Sequence, residues 1–284
     1  MSNLMSYLFE TNAVKVCPKD KPFWYTSGKI GPYFINTHFI YGSENDAVEL
    51  LNFIDTKKNE KLEMPKALFE KIKKQYEENK IYNDVVNEMI KYIKENINVE
   101  EIDYISGGER RDWIFSYIAA HLLDKKHITL FKDLTAVISD SNFEETVNAS
   151  KIEGKKVLHI ADLITVASSY IRAWIPTIQE LGGELLWSLA IVNRMQGGDE
   201  RLSDLGIKSL SMAKVDEYLF TVAMEKEIIN QNQFEMIQKF LKDPDGTMRD
   251  FLVAHPEFLK NSLNSDEKTA SRARLCIDSN IYNL

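Results

Sequence analysis

Residues 157–169, VLHIADLITVASS, pass from apolar residues into small hydroxyl residues, with a single acid, Asp162, at the change. A strand ending this way can hold a ligand. The backbone N–H groups of Val166, Ala167, Ser168 and Ser169 fall at the first turn of the next segment, where unpaired donors and a helix dipole favour a phosphate. Thr165, Ser168 and Ser169 add hydroxyl donors. The same residues also suit a plain turn in which Ser168 caps a helix. A second candidate is the run Gly107-Gly108-Glu109-Arg110-Arg111. Two glycines permit close backbone approach and two arginines supply charge, which suits a second anion. Its plain alternative is a solvated turn capped by Asp112. Other chemistries find no footing. The five histidines are scattered without metal-ligand spacing. DPDGTMRD at 243–250 lacks the spacing and final Glu of a calcium loop. No Gly-x-Ser-x-Gly or Cys/His pairing points to a nucleophilic hydrolase.

These residues need elements to present them. IDYIS (102–106), HITLF (127–131), residues 157–162 and ELLWSLAIV (184–192) read as strands, and IKSLSM (207–212) as a weaker one. DWIFSYIAAHLL (112–123) and SSYIRAWIPTIQELGG (168–183) read as helices, the second kinked at Pro176 and closed by Gly182-Gly183. Strand and helix alternating at this spacing predict an α/β fold, a mostly parallel twisted sheet with helices on both faces. In such a sheet, ligands sit beyond the carboxyl ends of the strands. Around this middle, residues 3–16 read as a short helix, and the stretch from Pro22 to Gly42 as two short strands about a turn. Residues 43–98 carry apolar positions at three- and four-residue spacing, predicting two or three amphipathic helices, with Pro65 suited to a helix start. Beyond about Lys214 the pattern is helical. The expected organisation is an α/β domain over 1–213 with a helical insertion at about 43–100, and a helical C-terminal extension over 214–284.

The chain's 284 residues suffice for one large domain or two modest ones, and its net charge of −8 argues against a general nucleic-acid binder. No apolar run is long enough to span a bilayer, and MSNLMSYLFETNAVK does not read as a signal peptide. Two cysteines far apart, Cys17 and Cys276, suit a reduced, cytoplasmic protein without a disulfide framework.

VLHIADLITVASS resembles the phosphoribosyl diphosphate signature of the type I phosphoribosyltransferases, in which apolar residues precede two acids, an apolar pair and a Thr/Gly-rich loop. Asp162 fills the second acidic position and Ala161 the first. Thr165 matches, while Val166, Ala167 and Ser168 stand where Thr and Gly are usual. YTSGKIGPYFIN (25–36), IDYISGGERRDWIFSYIAAHLL and LLWSLAIVNRMQGGDERLSDLGIKSL are similar, in that order, to segments of orotate phosphoribosyltransferases. The resemblance covers roughly 13–42 and 101–212.

The resemblance implies roles at matching positions. Asp162, Thr165, Val166, Ala167, Ser168 and Ser169 would bind ribose and its 5′-phosphate. Gly107, Gly108, Arg110, Arg111 and Lys132 would bind pyrophosphate, with Lys132 and Asp162 as the catalytic residues. Tyr33, Phe34, Thr165 and Arg194 would meet the base. On residue type alone, Tyr33 and Phe34 equally suit core packing, and Arg194 an ion pair with Asp199 or Glu200. Thr26 stands where the family has a base-contacting Lys. Residues 133–150 occupy the place of a mobile basic loop, yet contain no Lys, Arg or His. The implied activity is transfer of ribose 5-phosphate from phosphoribosyl diphosphate to a nitrogen base, orotate or a relative, with release of pyrophosphate. The implied cofactor is magnesium held mainly through the substrate, and the implied assembly is a homodimer. A module that keeps the fold and binds a nucleotide without transfer chemistry is the other reading of the same residues.

Overall fold

The computed structural model describes residues 3–18 and 20–283. It opens with α1 (Asn3–Glu10). This helix is shorter than expected because Val14–Val16, β-branched at both ends, pairs as a strand instead. Four short strands follow: β1 (Val14–Val16), β2 (Phe23–Trp24), β3 (Ile30–Gly31) and β4 (Tyr33–Ile35). They form two antiparallel pairs, β1 with β4 and β2 with β3.

The amphipathic segment folds as α2 (Glu44–Lys57), α3 (Met64–Glu78) and α4 (Lys80–Asn96). Ser43 Oγ accepts the Asp46 N–H at 3.1 Å to start α2, and Asn79 Oδ1 accepts the Tyr82 N–H at 3.0 Å to start α4. Pro65 lies in the first turn of α3, where its missing N–H costs nothing.

Alternation then begins: β5 (Tyr104–Gly108), α5 (Trp113–Leu122), β6 (Lys126–Leu130), β7 (Ala136–Ser139), β8 (Thr146–Asn148), β9 (Lys156–Ile164), α6 (Ile175–Glu180), β10 (Glu184–Asn193), α7 (Gly198–Ser203) and β11 (Lys208–Lys214). Seven of these strands make one sheet in the order β11-β10-β9-β5-β6-β7-β8. From β11 to β6 the pairing is parallel; β7 and β8 are added antiparallel. Burial on both faces accounts for the nearly unbroken apolar run of β9. The helix expected over 168–183 is interrupted. Residues Tyr170–Trp174 form a π-helical turn, and α6 starts at Ile175. Pro176 has no N–H to continue the ladder from the preceding turn.

One expectation is corrected here. Residues 133–150 do not form an open loop; they carry β7 and β8. Val137 and Ile138 are buried, and Ile138 pairs with Ile128 of β6. Phe143, between the two strands, stacks on Phe69 of α3 and Tyr117 of α5 with ring centroids 4.6 and 4.4 Å away. An apolar anchor of this kind holds the segment to the domain.

The C-terminal residues form α8 (Glu217–Glu225), α9 (Gln231–Lys242), α10 (Pro244–Ala254), α11 (Pro256–Leu263) and α12 (Glu267–Asp278). Two compact units result. One comprises the residues up to Ala13 with Thr37–Val215; the other comprises Val14–Asn36 with the residues from Asp216 on. The division near residue 214 therefore has a second part, because residues 14–36 group with the C-terminal helices. Within that unit Tyr33 packs against Phe220 and Phe240, with centroids 5.1 and 5.6 Å away, and the Trp24 indole N–H donates to Ser262 Oγ at 2.9 Å. Among the described residues no helix is long and apolar enough to cross a membrane.

Candidate active site

Beyond the carboxyl end of β9 lies a cavity of about 360 Å³, bordered by Arg111, Asp112, Lys132, Asp162, Thr165 and Ser168 among others. The turn from β9 into the π-helical segment gives it one wall. Ala167 takes φ 54°, the left-handed region, and Ser169 returns to the right-handed region at φ −69°. A turn that changes hand in this way gathers successive N–H groups into a nest suited to an anion. The N–H groups of Val166, Ala167, Ser168 and Ser169 donate to no carbonyl among the described residues. The turn's carbonyls are engaged: Arg201 donates to Val166 O at 3.2 Å and Arg172 to Ser168 O at 3.3 Å. Gly198, at the start of α7, lies against the Thr165 carbonyl, where a side chain would collide. The Gly-Gly step in MQGGD thus lets α7 approach the turn.

Asp162 occupies a costly position. It is 7% exposed, and its Oδ2 has no hydrogen-bond partner among the described residues. Burial, and then the facing Asp112 carboxylate, push its carboxyl up to about 8, with the Arg111 guanidinium opposing. Asp112 belongs to the turn between β5 and α5. Its Oδ1 accepts the Asp162 N–H at 3.0 Å and its Oδ2 accepts the Gly108 N–H at 3.1 Å. Behind it His159, wholly buried, places Nε2 3.5 Å from Asp112 Oδ2 and Nδ1 3.0 Å from Ser106 Oγ. Asp112 was expected only as the cap of a solvated turn. It instead ties two strand ends together at the cavity wall. Ala161, the first acidic position of the signature, is buried in an apolar cluster with Ile164, Trp174 and Ala190.

The loop after β5 divides its tasks. Gly107 and Gly108 serve packing: side chains there would collide with Ser116 and with the Trp174 indole. The Gly108 N–H is taken by Asp112 at 3.1 Å, and neither glycine borders the cavity. Arg110 donates to Leu51 O at 2.8 Å and pairs with Asp55, both on α2. Lys58, just past α2, lies 3.3 Å from Asp55 and 3.4 Å from Glu109. Glu109 in turn accepts the Lys132 backbone N–H at 3.0 Å. The helical insertion therefore braces the loop. The Arg111 guanidinium and the Lys132 ammonium make no hydrogen bond or ion pair among the described residues, and both residues border the cavity. Behind the loop, His38 is buried, and burial with the nearby Arg111 and Arg110 pushes its ring down to about 3.

Two of the acids of 133–150, Asp133 and Glu144, are also answered by the insertion. Lys61, between α2 and α3, pairs with Asp133 and donates to Thr135 Oγ1 at 2.7 Å, and Lys66 pairs with Glu144 at 2.6 Å. The residues expected to meet the base are divided between the two units. Tyr33 is in the core of the other unit, where Phe34 packs edge-on against Phe23 and Tyr25 at 5.5 and 5.7 Å. Arg194 is half-buried at the end of β10 and does not border the cavity. Its N–H donates to Ile164 O at 2.9 Å, and it forms no ion pair with Asp199 or Glu200. Thr165 alone of the four borders the cavity. No sequence signal pointed to Asp55 or His38, whose partners lie far along the chain.

No protein-family model matches the chain. It is 26% identical over 227 residues to orotate phosphoribosyltransferase of Sulfurisphaera tokodaii, covering 77% of this chain and 89% of the relative. To the same enzyme of Sulfolobus acidocaldarius it is 29% identical over 97 residues, 34% of this chain, and that match spans about half of the relative, 48%. Among solved structures, UMP synthase of Leishmania donovani superposes with a TM-score of 0.55 at 16% identity, covering 85% of this chain and 42% of that one. Orotate phosphoribosyltransferase of Francisella tularensis gives 0.52 at 14% identity, covering 84% and 96%. At these identities the solved structures bear on the fold alone. With the signature at 157–169 and the order of its strands, the chain is a divergent, orotate-phosphoribosyltransferase-like protein with the type I phosphoribosyltransferase fold.

Proposed function

We propose that the cavity binds phosphoribosyl diphosphate and that the protein transfers its ribose 5-phosphate unit to a nitrogen base, orotate or a related one. One observation carries the reading. The unpaired N–H groups of 166–169, the buried carboxyl of Asp162, and the free cations Arg111 and Lys132 border a single cavity. They match, in order, the phosphate, the ribose hydroxyls and the pyrophosphate of one ligand. In the reaction the bond from the anomeric carbon to pyrophosphate breaks and a bond to the base nitrogen forms, with inversion. Positive charge grows on the sugar and negative charge on the leaving group. Arg111 and Lys132 are placed to stabilise the leaving pyrophosphate, and Asp162 to hold the sugar in line. Among the described residues no group of three or more His, Cys, Asp or Glu is arranged to hold a metal ion. The magnesium implied by the resemblance would be held mainly by the diphosphate oxygens, whose charge it would screen.

A second reading has its own support. β7 and β8 fold residues 133–150 into the sheet, and two of the segment's acids, Asp133 and Glu144, pair with the insertion's Lys61 and Lys66. A binding module needs no mobile basic lid. The test is calorimetric titration with phosphoribosyl diphosphate and magnesium, followed by a screen of bases for pyrophosphate release. Binding with release supports the transferase. Binding without release for any base supports the module. Failure to bind overturns both.

A further inference from the structure

We propose that Asp112 supplies the second carboxylate of the sugar site, replacing from a neighbouring strand end the acid that Ala161 does not provide. The inference rests on the proposed sugar-phosphate ligand. Ala161 lies in an apolar cluster with Ile164 and Trp174 and offers the cavity it borders only a methyl group. Asp112 reaches the same strand end from the turn after β5. Its two hydrogen bonds, to the N–H groups of Asp162 and Gly108, use one acceptor direction on each oxygen. An ionised carboxyl offers about four such directions, so Asp112 retains acceptor capacity toward the cavity it borders.

Asp162 is the independent witness that a ligand belongs here. It is more than nine-tenths buried, it borders the cavity, and its Oδ2 has no partner among the described residues. Two adjacent carboxyls in a buried wall are costly unless donors reach them. A vicinal diol brings two O–H donors at the right spacing, one for Asp162 Oδ2 and one for Asp112. A single hydroxyl satisfies only one of the pair. The site should therefore discriminate a ribo sugar from its 2-deoxy counterpart, and Asp112 should be needed for the discrimination.

The test uses the full chain and three probes: ribose 5-phosphate, 2-deoxyribose 5-phosphate and inorganic phosphate. Affinities are measured by calorimetry for wild type and Asp112→Asn. The amide keeps the volume and one carbonyl acceptor. Hydrogen bonds to charged groups predict a ribo preference of about tenfold or more in the wild type. In Asp112→Asn that preference should collapse while inorganic phosphate binds at least as tightly as to the wild type, because one negative charge has left the cavity wall. Should Asp112→Asn fail to fold, Asp112→Ser retains a hydroxyl for the Asp162 N–H and reads the same ratio. A variant that keeps the full ribo preference overturns the proposal, and so does equal weakening of all three probes, which marks Asp112 as a strand clamp only. A wild type that binds phosphate and both sugars equally also overturns it while leaving the phosphate site standing. If none of the three probes binds the wild type, it is the proposed ligand class that fails.

Discussion

Replacing Asp162 by Asn should make the protein more stable in alkali while weakening its hold on a sugar. The reasoning starts from burial. An aspartate in the unfolded chain titrates near 3.9, but in the folded protein burial and the facing Asp112 carboxylate push Asp162 up to about 8. Between these values the folded chain keeps a proton that the unfolded chain has lost. Folding stability from this group is thus fully present below about pH 4 and declines as pH rises through about 8. The displacement is roughly four pH units, at about 1.4 kcal/mol per unit, which sets a ceiling of roughly 6 kcal/mol. A change of at least about 1.4 kcal/mol, one pH unit's worth, is the minimum the argument allows. Asn has no proton to lose. Urea unfolding of wild type and Asp162→Asn at pH 5 and pH 9, followed by circular dichroism, measures the difference with the other titrating groups cancelled. The gap should move toward the variant by that amount or more at pH 9. An identical gap at both values would refute the claim that Asp162 is held protonated by its surroundings.

The two arginines of the loop should separate. Arg111→Ala should weaken a diphosphate ligand about tenfold or more by calorimetry, since a charge-assisted hydrogen bond contributes roughly 1.5–3 kcal/mol. Arg110→Ala, which frees Leu51 O and Asp55, should act mainly on stability, lowering it by about 1 kcal/mol in chemical unfolding. Arg110 also borders the cavity, and equal loss of diphosphate affinity in both would make it a ligand-binding residue despite its pairing with Asp55. Gly108→Ala drives a methyl into the Trp174 indole; a cost of about 1–3 kcal/mol in thermal or urea unfolding is expected, and a neutral result would mean that Trp174 moves freely.

The sheet was legible because buried parallel strands and amphipathic helices write their periods into the chain. β5, β6, β9 and β10 fall within a residue or two of the segments that read as strands. The turn at 165–169 was legible for a similar reason, since strand, hydroxyl-rich turn and helical segment are contiguous at 157–175. What could not be read depends on residues distant in sequence. Residues 133–150 looked like an acidic loop, yet Phe143 finds its partners at Phe69 and Tyr117. Asp133 and Glu144 are answered by Lys61 and Lys66, more than sixty positions upstream. Asp112 looked like a cap because its real partner, the Asp162 N–H, is 50 residues away. Tyr33 is of a type that stacks on bases and packs in cores alike, and Phe220 and Phe240 decide for the core.

The charges around the cavity lead to one more expected result. Arg110 is offset by Asp55, and Glu109 by Lys58, within the braced loop. That leaves Arg111 and Lys132 against Asp112 and Asp162 on the cavity wall. With Asp162 protonated the balance favours an anion by one charge; with Asp162 ionised it is neutral. If the cavity binds an anion as proposed, the proton on Asp162 favours that binding as well as the fold, and both effects fade as pH rises through about 8. Inorganic pyrophosphate is the suitable probe, because it has no hydroxyls for the acids to hold. Its affinity, measured from pH 6.5 to 9.5, should fall with pH more steeply for wild type than for Asp162→Asn, since the probe's own ionisation is common to both. At about 4–6 Å in a medium of effective dielectric near 20, one added negative charge costs a bound anion about 3 kcal/mol before salt screening. A tenfold divergence between the two curves, about 1.4 kcal/mol, is the amount expected to survive that screening at moderate ionic strength. Parallel curves would show that the anion sits too far from Asp162 to sense it, and the phosphate and sugar positions would then have to be assigned to different parts of the molecule.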